Sequence, residues 1–170
     1  MKHVTVTWQP AERAFEAQGA APGRTIRMAA PHPQGEEPAG IGPAENLLAA
    51  LGGCTAWDVV QILEKQRQPV TGLELQIAGD QASAAPWPFE HVTITYVLRG
   101  RGVDPAAVER AVRLSSDKYC SVMATIRGVA KVESLIEIVD EGATSTAATT
   151  ASSTAPAGAA SGHAPSAERG

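Results

Sequence analysis

The sequence predicts an α+β domain in which antiparallel strands surround one long, buried helix. Residues 43–65 carry leucine, isoleucine and valine at helical spacing, and Asp58 is the only formally charged residue between positions 47 and 63. Short stretches of alternating apolar and polar residues stand before and after this run, and short turns separate neighbouring stretches. Strands joined by short turns pair antiparallel, and such strands together with segregated helices are typical of α+β proteins.

Three short strands are predicted before the helix. Residues 4–9 alternate apolar with polar side chains, which is typical of a half-buried strand. Residues 13–17 follow a proline-containing turn and predict the returning strand of a hairpin, and residues 25–29 predict a third strand. Residues 31–42 hold three prolines and three glycines, a composition that predicts a loop crossing to the long helix.

The long helix is predicted to begin at Pro43 and to end before Pro69. Glu45 lies in its first turn, where a negative charge meets the positive end of the helix dipole. Each of Gly52 and Gly53 is unfavourable in mid-helix by about 1 kcal/mol relative to alanine, which predicts close packing or a kink there. Because the helix is apolar on nearly every side, it should be buried, and a second subunit wrapped around the first would supply the missing cover.

The second half of the chain predicts two strands, two helices and a final strand. Residues 73–77 and 91–98 alternate like strands. Asp104 followed by proline predicts a capped helix start, and a second, shorter helix is predicted over residues 121–126, beginning near Cys120. Residues 131–139 predict the last strand.

The composition changes near residue 142. Residues 142–170 consist almost entirely of Ala, Ser, Thr, Gly and Pro, with no Leu, Ile, Val or aromatic residue. Such a segment buries too little apolar surface to offset its ordering entropy, so it is predicted to be a disordered tail. The folded domain is therefore predicted to span residues 1–141.

Composition and charge exclude several classes of function. The formal net charge of −4 gives no reason to expect a nucleic-acid partner. No apolar run is expected to be long enough to span a membrane, and the N-terminus lacks the apolar segment of a signal peptide, so a cytoplasmic location is predicted. In that reducing compartment the two cysteines, Cys54 and Cys120, are not expected to form a structural disulfide, whereas a catalytic or redox-sensing pair is allowed.

Two separate cysteine-containing segments resemble those of a known family. They read Gly-Pro-Ala-Glu-Asn-Leu-Leu-Ala-Ala-Leu-Gly-Gly-Cys-Thr-Ala-Trp-Asp-Val from residue 42 and Glu-Arg-Ala-Val-Arg-Leu-Ser-Ser-Asp-Lys-Tyr-Cys-Ser-Val from residue 109. They are similar to the OsmC/Ohr family of osmotically inducible and organic hydroperoxide resistance proteins, most closely to its OsmC-like branch. The resemblance covers most of residues 1–140. It implies an intertwined homodimer, with antiparallel sheets wrapped around long central helices and active sites at the dimer interface.

The resemblance also implies an activity and a set of site residues. The family reduces hydroperoxides, organic ones preferentially, with thiols as the electron source. Cys54 matches the peroxidatic cysteine, Cys120 the resolving cysteine, and Glu45 the glutamate at the start of the central helix. The family uses an arginine from the first hairpin to hold the thiolate. Arg13 matches it best by position, although the glycine-rich signature around that arginine is missing, and Arg24 and Arg27 remain alternatives.

The chemistry of such a site requires no metal or bound cofactor. A thiolate attacks the peroxide, and the resulting sulfenic acid condenses with a second cysteine to a disulfide, which an external dithiol reduces. The four histidines of the chain show no ligand spacing, so neither a metal nor a cofactor is predicted. The predicted partners are a second copy of the chain, a hydroperoxide substrate and a dithiol reductant.

Asp58 supports a second hypothesis. It follows Cys54 by four residues and so shares its helix face, where a carboxylate raises the pKa of a thiol. Asp58 and the missing arginine signature together favour a dimer whose cysteines do not turn over. Such a dimer would bind a small apolar or thiol ligand at its interface. The sequence alone leaves both hypotheses open.

Overall fold

The computed structural model describes residues 1–29 and 40–142, and this part of the chain forms an α+β domain. Residues 31–39 of the predicted loop and residues 143–170 of the predicted tail lie outside the described residues. The strands are β1 (Val4–Gln9), β2 (Ala14–Gly19), β3 (Thr25–Met28), β4 (Val70–Gln81), β5 (Phe89–Gly100) and β6 (Lys131–Asp140). The α-helices are α1 (Pro43–Lys65), α2 (Pro105–Leu114) and α3 (Ser121–Ile126).

The strands form two three-stranded sheets. The first has the order β1-β2-β3 with antiparallel pairing throughout, as the short turns predict. The second has the order β4-β5-β6, in which β4 and β5 pair antiparallel but β5 and β6 pair parallel. The parallel pair arises because α2 and α3 lie between β5 and β6 and return the chain to the same end of the sheet.

The core lies between the second sheet and the three helices. β5 is its central strand, and Ile94, Tyr96 and Leu98 have no exposed surface. α1 packs against β4, α2 and α3. Gly52 marks the closest approach of α1 to β4, since a Cβ atom there would lie 2.6 Å from the Ile77 Cδ1 atom. The expected close packing is thus present at Gly52, where α1 meets the Ile77 side chain of β4.

One side of α1 is uncovered within a single chain. Only 28% of its most apolar 18-residue window is buried, and the side chains of Leu47 and Trp57 are exposed. The expectation of a helix buried on every side is thus not met within one chain. That window has a mean hydropathy of 1.3, so α1 is long and apolar enough to cross a membrane by length and composition alone. This corrects the expectation that no apolar stretch reaches that length, yet α1 is also the central helix of the packed domain.

The first sheet also presents apolar side chains to solvent. Val4, Val6 and Ile26 are all more than half exposed, and Trp8 packs against Phe15 in a tilted arrangement with ring centroids 4.8 Å apart while both stay more than 40% exposed. β3 connects to the start of α1 through a bridge between Met28 and Ile41. A small sheet with this much apolar surface in water is unfavourable without further cover.

Candidate active site

Both cysteines meet at one place in the structure, together with Asp58. The two sulfur atoms and a carboxylate oxygen of Asp58 all lie within 4.8 Å of one another. Cys54 and Asp58 are half-buried, whereas Cys120 is only 3% exposed and lies behind them. The three groups are separated by up to 66 residues in the chain, so the tertiary structure assembles this cluster.

Helix α1 supplies two of the three groups. Cys54 and Asp58 are four residues apart, which is about one helical turn, so their side chains share a face. Thr55, on the adjoining face, is fully buried in the core. The cluster thus lies at the edge of the buried face of α1. Solvent reaches Cys54 there, whereas Cys120 behind it is buried.

The third group comes from the start of α3. A π-helical turn at Ser115–Tyr119 follows α2, and Cys120 is the N-cap residue of α3. Its Sγ atom accepts a hydrogen bond from the Met123 backbone N–H at 3.3 Å. Burial, and next the hydrogen bond with Cys54, raise the pKa of the Cys120 thiol to about 11, although the Met123 N–H opposes this shift. Cys120 is therefore a protonated thiol at neutral pH.

A chain of buried hydroxyl groups ends at Asp58. The Thr55 Oγ1 atom lies 2.8 Å from the Tyr96 hydroxyl and 2.9 Å from Ser115 Oγ, and Ser115 Oγ lies 3.1 Å from Asp58 Oδ2. The Ser115 hydroxyl donates to Asp58 Oδ2 and also lies 3.3 Å from the Thr55 carbonyl oxygen, so its one hydrogen is used, Thr55 donates to Ser115, and Tyr96 donates to Thr55. Burial raises the pKa of Tyr96, which keeps this phenol protonated as the first donor. The chain holds one carboxylate oxygen of Asp58 in place.

Glu45 lies in the first turn of α1 and is far from the cluster. Its Oε2 atom accepts a hydrogen bond from the Gly42 backbone N–H at 2.6 Å, so it caps the helix as its position predicts. Nine residues separate Glu45 from Cys54, which amounts to about 13 Å along the axis and about two and a half turns. The two side chains therefore leave α1 on opposite faces and do not meet within one chain.

The three candidate arginines lie in the first sheet or in its turns. Arg13 is exposed in the β1–β2 connection with a left-handed backbone conformation (φ of 48°). Arg24 lies in the turn before β3, and Arg27 forms an ion pair with Glu12. Among residues 1–29 and 40–142, no hydrogen bond or ion pair joins an arginine to Cys54 or Cys120.

A groove borders the cluster on the side of Asp58. It encloses about 360 Å³ between the last turns of α1 and the end of α2. Ile62, Leu114 and Tyr119 form its apolar part, while Asp58 and Lys65 supply opposite charges. A small molecule with an apolar body and a polar end matches this lining.

Sequence reasoning identified both cysteines and Asp58 but missed the hydroxyl chain. Thr55 is a single hydroxyl residue in an otherwise apolar stretch of α1, and that isolation was the available signal. Ser115 follows the buried stripe of α2 and Tyr96 lies on the core side of β5, so neither is distinguished locally from an ordinary core residue.

Comparisons with known proteins agree with this fold. The family model described as OsmC-like protein matches residues 34–134. Protein YhfA of Escherichia coli is 40% identical over 97 residues, which are 57% of this chain and 72% of YhfA. A crystal structure of a hypothetical protein from Aquifex aeolicus has a TM-score of 0.72 at 29% identity, covering 83% of this chain and 98% of that one. The organic hydroperoxide resistance protein OhrB of Bacillus subtilis has a TM-score of 0.55 at 16% identity, covering 81% of this chain and 98% of OhrB.

Proposed function

The chain belongs to the OsmC-like family, and on this premise we propose that it is a cysteine-based, thiol-dependent hydroperoxide reductase. The observation that carries the proposal is the placement of the half-buried Cys54 within 4.8 Å of the buried Cys120. Relatives of the same fold include a protein described as an organic hydroperoxide resistance protein, so the chemistry of peroxides is the first to test.

The proposed reaction begins at Cys54, because it is the cysteine that solvent reaches. Its sulfur attacks one peroxide oxygen, the O–O bond breaks, and an alcohol leaves after taking up a proton. Cys54 then carries a sulfenic acid. The Cys120 sulfur attacks it, water leaves, and a disulfide forms. An external dithiol reduces that disulfide by exchange, so one peroxide and one dithiol give an alcohol, water and the oxidised dithiol.

Cys120 must lose a proton during this sequence, and Asp58 is the group placed to accept it. Burial keeps the Cys120 pKa near 11, so the free thiolate is scarce at neutral pH. A carboxylate oxygen of Asp58 lies within 4.8 Å of that sulfur, and Ser115 donates a hydrogen bond to the Asp58 Oδ2 atom. Asp58 is therefore placed to assist the second step, in which Cys120 becomes the nucleophile.

We propose that the working unit is a homodimer. The uncovered side of α1 and the exposed apolar side chains of the first sheet both require a partner surface. A second copy would also explain how Glu45 and Arg13 (or Arg24 or Arg27) come to serve a cysteine that they do not reach within their own chain. Light scattering coupled to size-exclusion chromatography measures the mass, and a monomer would remove this part of the proposal.

Proteins of this family are generally soluble. We place the chain in the cytoplasm, where a thiol-dependent enzyme finds reductants.

The test of function is peroxide consumption by the purified protein. Cumene hydroperoxide and hydrogen peroxide are supplied in parallel, each with a dithiol reductant. The expected result is faster turnover of the organic peroxide, complete loss in Cys54→Ser, and slower turnover in Cys120→Ser, in which the external dithiol must itself reduce the Cys54 sulfenic acid. Glu64→Gln, an exposed charge change on the same helix, is the control. Absence of turnover by a folded wild-type protein would refute the proposal.

A second candidate function is favoured by the groove beside Asp58. In this case the dimer binds a small apolar or thiol ligand and its cysteines do not turn over. The carboxylate next to Cys54 and the absence of an arginine contact within the described residues support it. Slow alkylation of Cys54 at neutral pH is the expected result for the second candidate, and rapid alkylation would contradict it.

A further inference from the structure

We propose that Cys54, Asp58 and Cys120 form a binding site for a borderline-soft divalent cation, with Zn²⁺ as the cation that fits best. Two thiols and a carboxylate lie within 4.8 Å of one another in the reduced chain. Thiolate and carboxylate groups are both zinc ligands, and three protein ligands with one open position are typical of accessible zinc sites.

The geometry of the cluster is close to what a tetrahedral ion requires. Zinc–sulfur bonds of about 2.3 Å place two sulfur ligands about 3.8 Å apart. The observed atoms lie within 4.8 Å, so small side-chain rotations close the difference. Cys54 and Asp58 stand at the i, i+4 spacing with which one helix presents two ligands to one ion. Cys120 completes the set from the start of α3.

The surroundings of the ligands resemble a supporting shell. Ser115 is fully buried and donates a hydrogen bond to Asp58 Oδ2, so the carboxylate is oriented before any ion arrives. The Met123 N–H donates to Cys120 Sγ, a contact that stabilises a thiolate. This support separates the cluster from an accidental meeting of acidic side chains on a surface.

Solvent access is also suitable. Cys54 and Asp58 are half-buried, and Asp58 lines the groove of about 360 Å³, so an ion can enter beside Asp58 and keep its fourth position toward solvent. The sequence predicted no metal because its histidines lack ligand spacing. That argument does not apply to this site, because its ligands are cysteine and aspartate. Binding displaces the thiol protons, so affinity is expected to rise with pH.

The test is zinc binding by the full, reduced and untagged chain, measured by competition with a chromophoric chelator in a non-chelating phosphine reductant. One zinc per chain is expected. Loss of a direct ligand should weaken binding more than loss of a supporting group, for which 10- to 100-fold is usual. We therefore expect a weakening of at least about 100-fold in Cys54→Ser and Cys120→Ser, and about 10-fold in Ser115→Ala.

Cobalt substitution supplies a readout that a purely structural role would not change. Bound Co²⁺ should show thiolate-to-metal absorption and the visible bands of a tetrahedral ion, both altered in Asp58→Asn and unchanged in Glu64→Gln. Absence of zinc binding by the wild type would overturn the inference. Binding that is unchanged in Asp58→Asn and Ser115→Ala would also overturn it, because the thiols alone would then account for the metal. No peroxide is present, so this result is independent of the proposed function.

Discussion

The buried hydroxyl chain predicts that Thr55→Val will destabilise the domain although it leaves the packing nearly unchanged. Valine and threonine have similar volume and similar helix propensity, so the substitution removes a hydroxyl without opening a cavity. Thr55 Oγ1 makes two buried hydrogen bonds, with the Tyr96 hydroxyl at 2.8 Å and with Ser115 Oγ at 2.9 Å. Thr55, Tyr96 and Ser115 are all fully buried, so water does not replace the lost partner.

The magnitude follows from these two contacts. Each hydrogen bond contributes about 1 kcal/mol net, and a buried hydroxyl left without its partner costs about 1–3 kcal/mol. The free energy of unfolding should therefore fall by about 2–4 kcal/mol in Thr55→Val. Thr55→Ser keeps the hydroxyl and removes one methyl group, so its cost should be about 1 kcal/mol. The test is whether Thr55→Val lowers the free energy of unfolding more than Thr55→Ser does.

Urea denaturation followed by circular dichroism measures both variants against the wild type. Thr71→Val is the matched control, because the Thr71 hydroxyl bonds Glu141 at an exposed site. The free energy of unfolding of Thr71→Val should differ from that of the wild type by no more than about 0.5 kcal/mol. If Thr55→Val proved as stable as Thr55→Ser, the hydroxyl chain would not stabilise the fold, and the argument that it positions Asp58 would fail with it.

Three further predictions concern other parts of the fold. Because the pKa of Cys120 is raised from 9.0 to about 11, its stabilising contribution is full below pH 9 and disappears as the pH rises through 11. Between pH 9 and 11 the free energy of unfolding, measured by denaturation, should fall less in Cys120→Ser than in the wild type. In Gly52→Ala the new Cβ meets only the Ile77 side chain, whose half-buried Cδ1 end can rotate away, so the free energy of unfolding should change by less than about 1 kcal/mol, whereas Gly53→Ala meets open space within one chain and should stabilise a monomer by about 1 kcal/mol in thermal unfolding. If Gly53→Ala instead weakens a dimer, a partner packs there. Asp104→Ala removes the acceptor of the Ala106 N–H and should cost about 1 kcal/mol by urea denaturation; no loss would show that the cap is dispensable.

Local features of the sequence predicted the elements and much of the site. Pro43 begins α1 and Asp104 caps α2, because proline and aspartate satisfy the requirements of helix starts through their own covalent structure. The helical repeat likewise predicted that Cys54 and Asp58 share a face. These relations span four residues or fewer, so the geometry of a single helix is sufficient to calculate them.

The pairing of β5 with β6 could not be read from local pattern. An alternating strand has the same apolar spacing whether its neighbour runs parallel or antiparallel. The direction was decided by α2 and α3, which pack on the sheet and return the chain to the end where β5 begins. The exposed side of α1 also could not be predicted from local pattern. The pattern shows that the helix is apolar, but it does not show whether residues of the same chain bury it.

The sequence by itself determined the helices, the strands and the two cysteine motifs, since each depends on neighbours a few residues away. Only the tertiary structure decided that Cys120 lies behind Cys54 and that Tyr96, Thr55 and Ser115 converge on Asp58. These contacts join groups 41 to 66 residues apart. Chain connectivity over such distances leaves many arrangements open, and the close packing of one core selects among them.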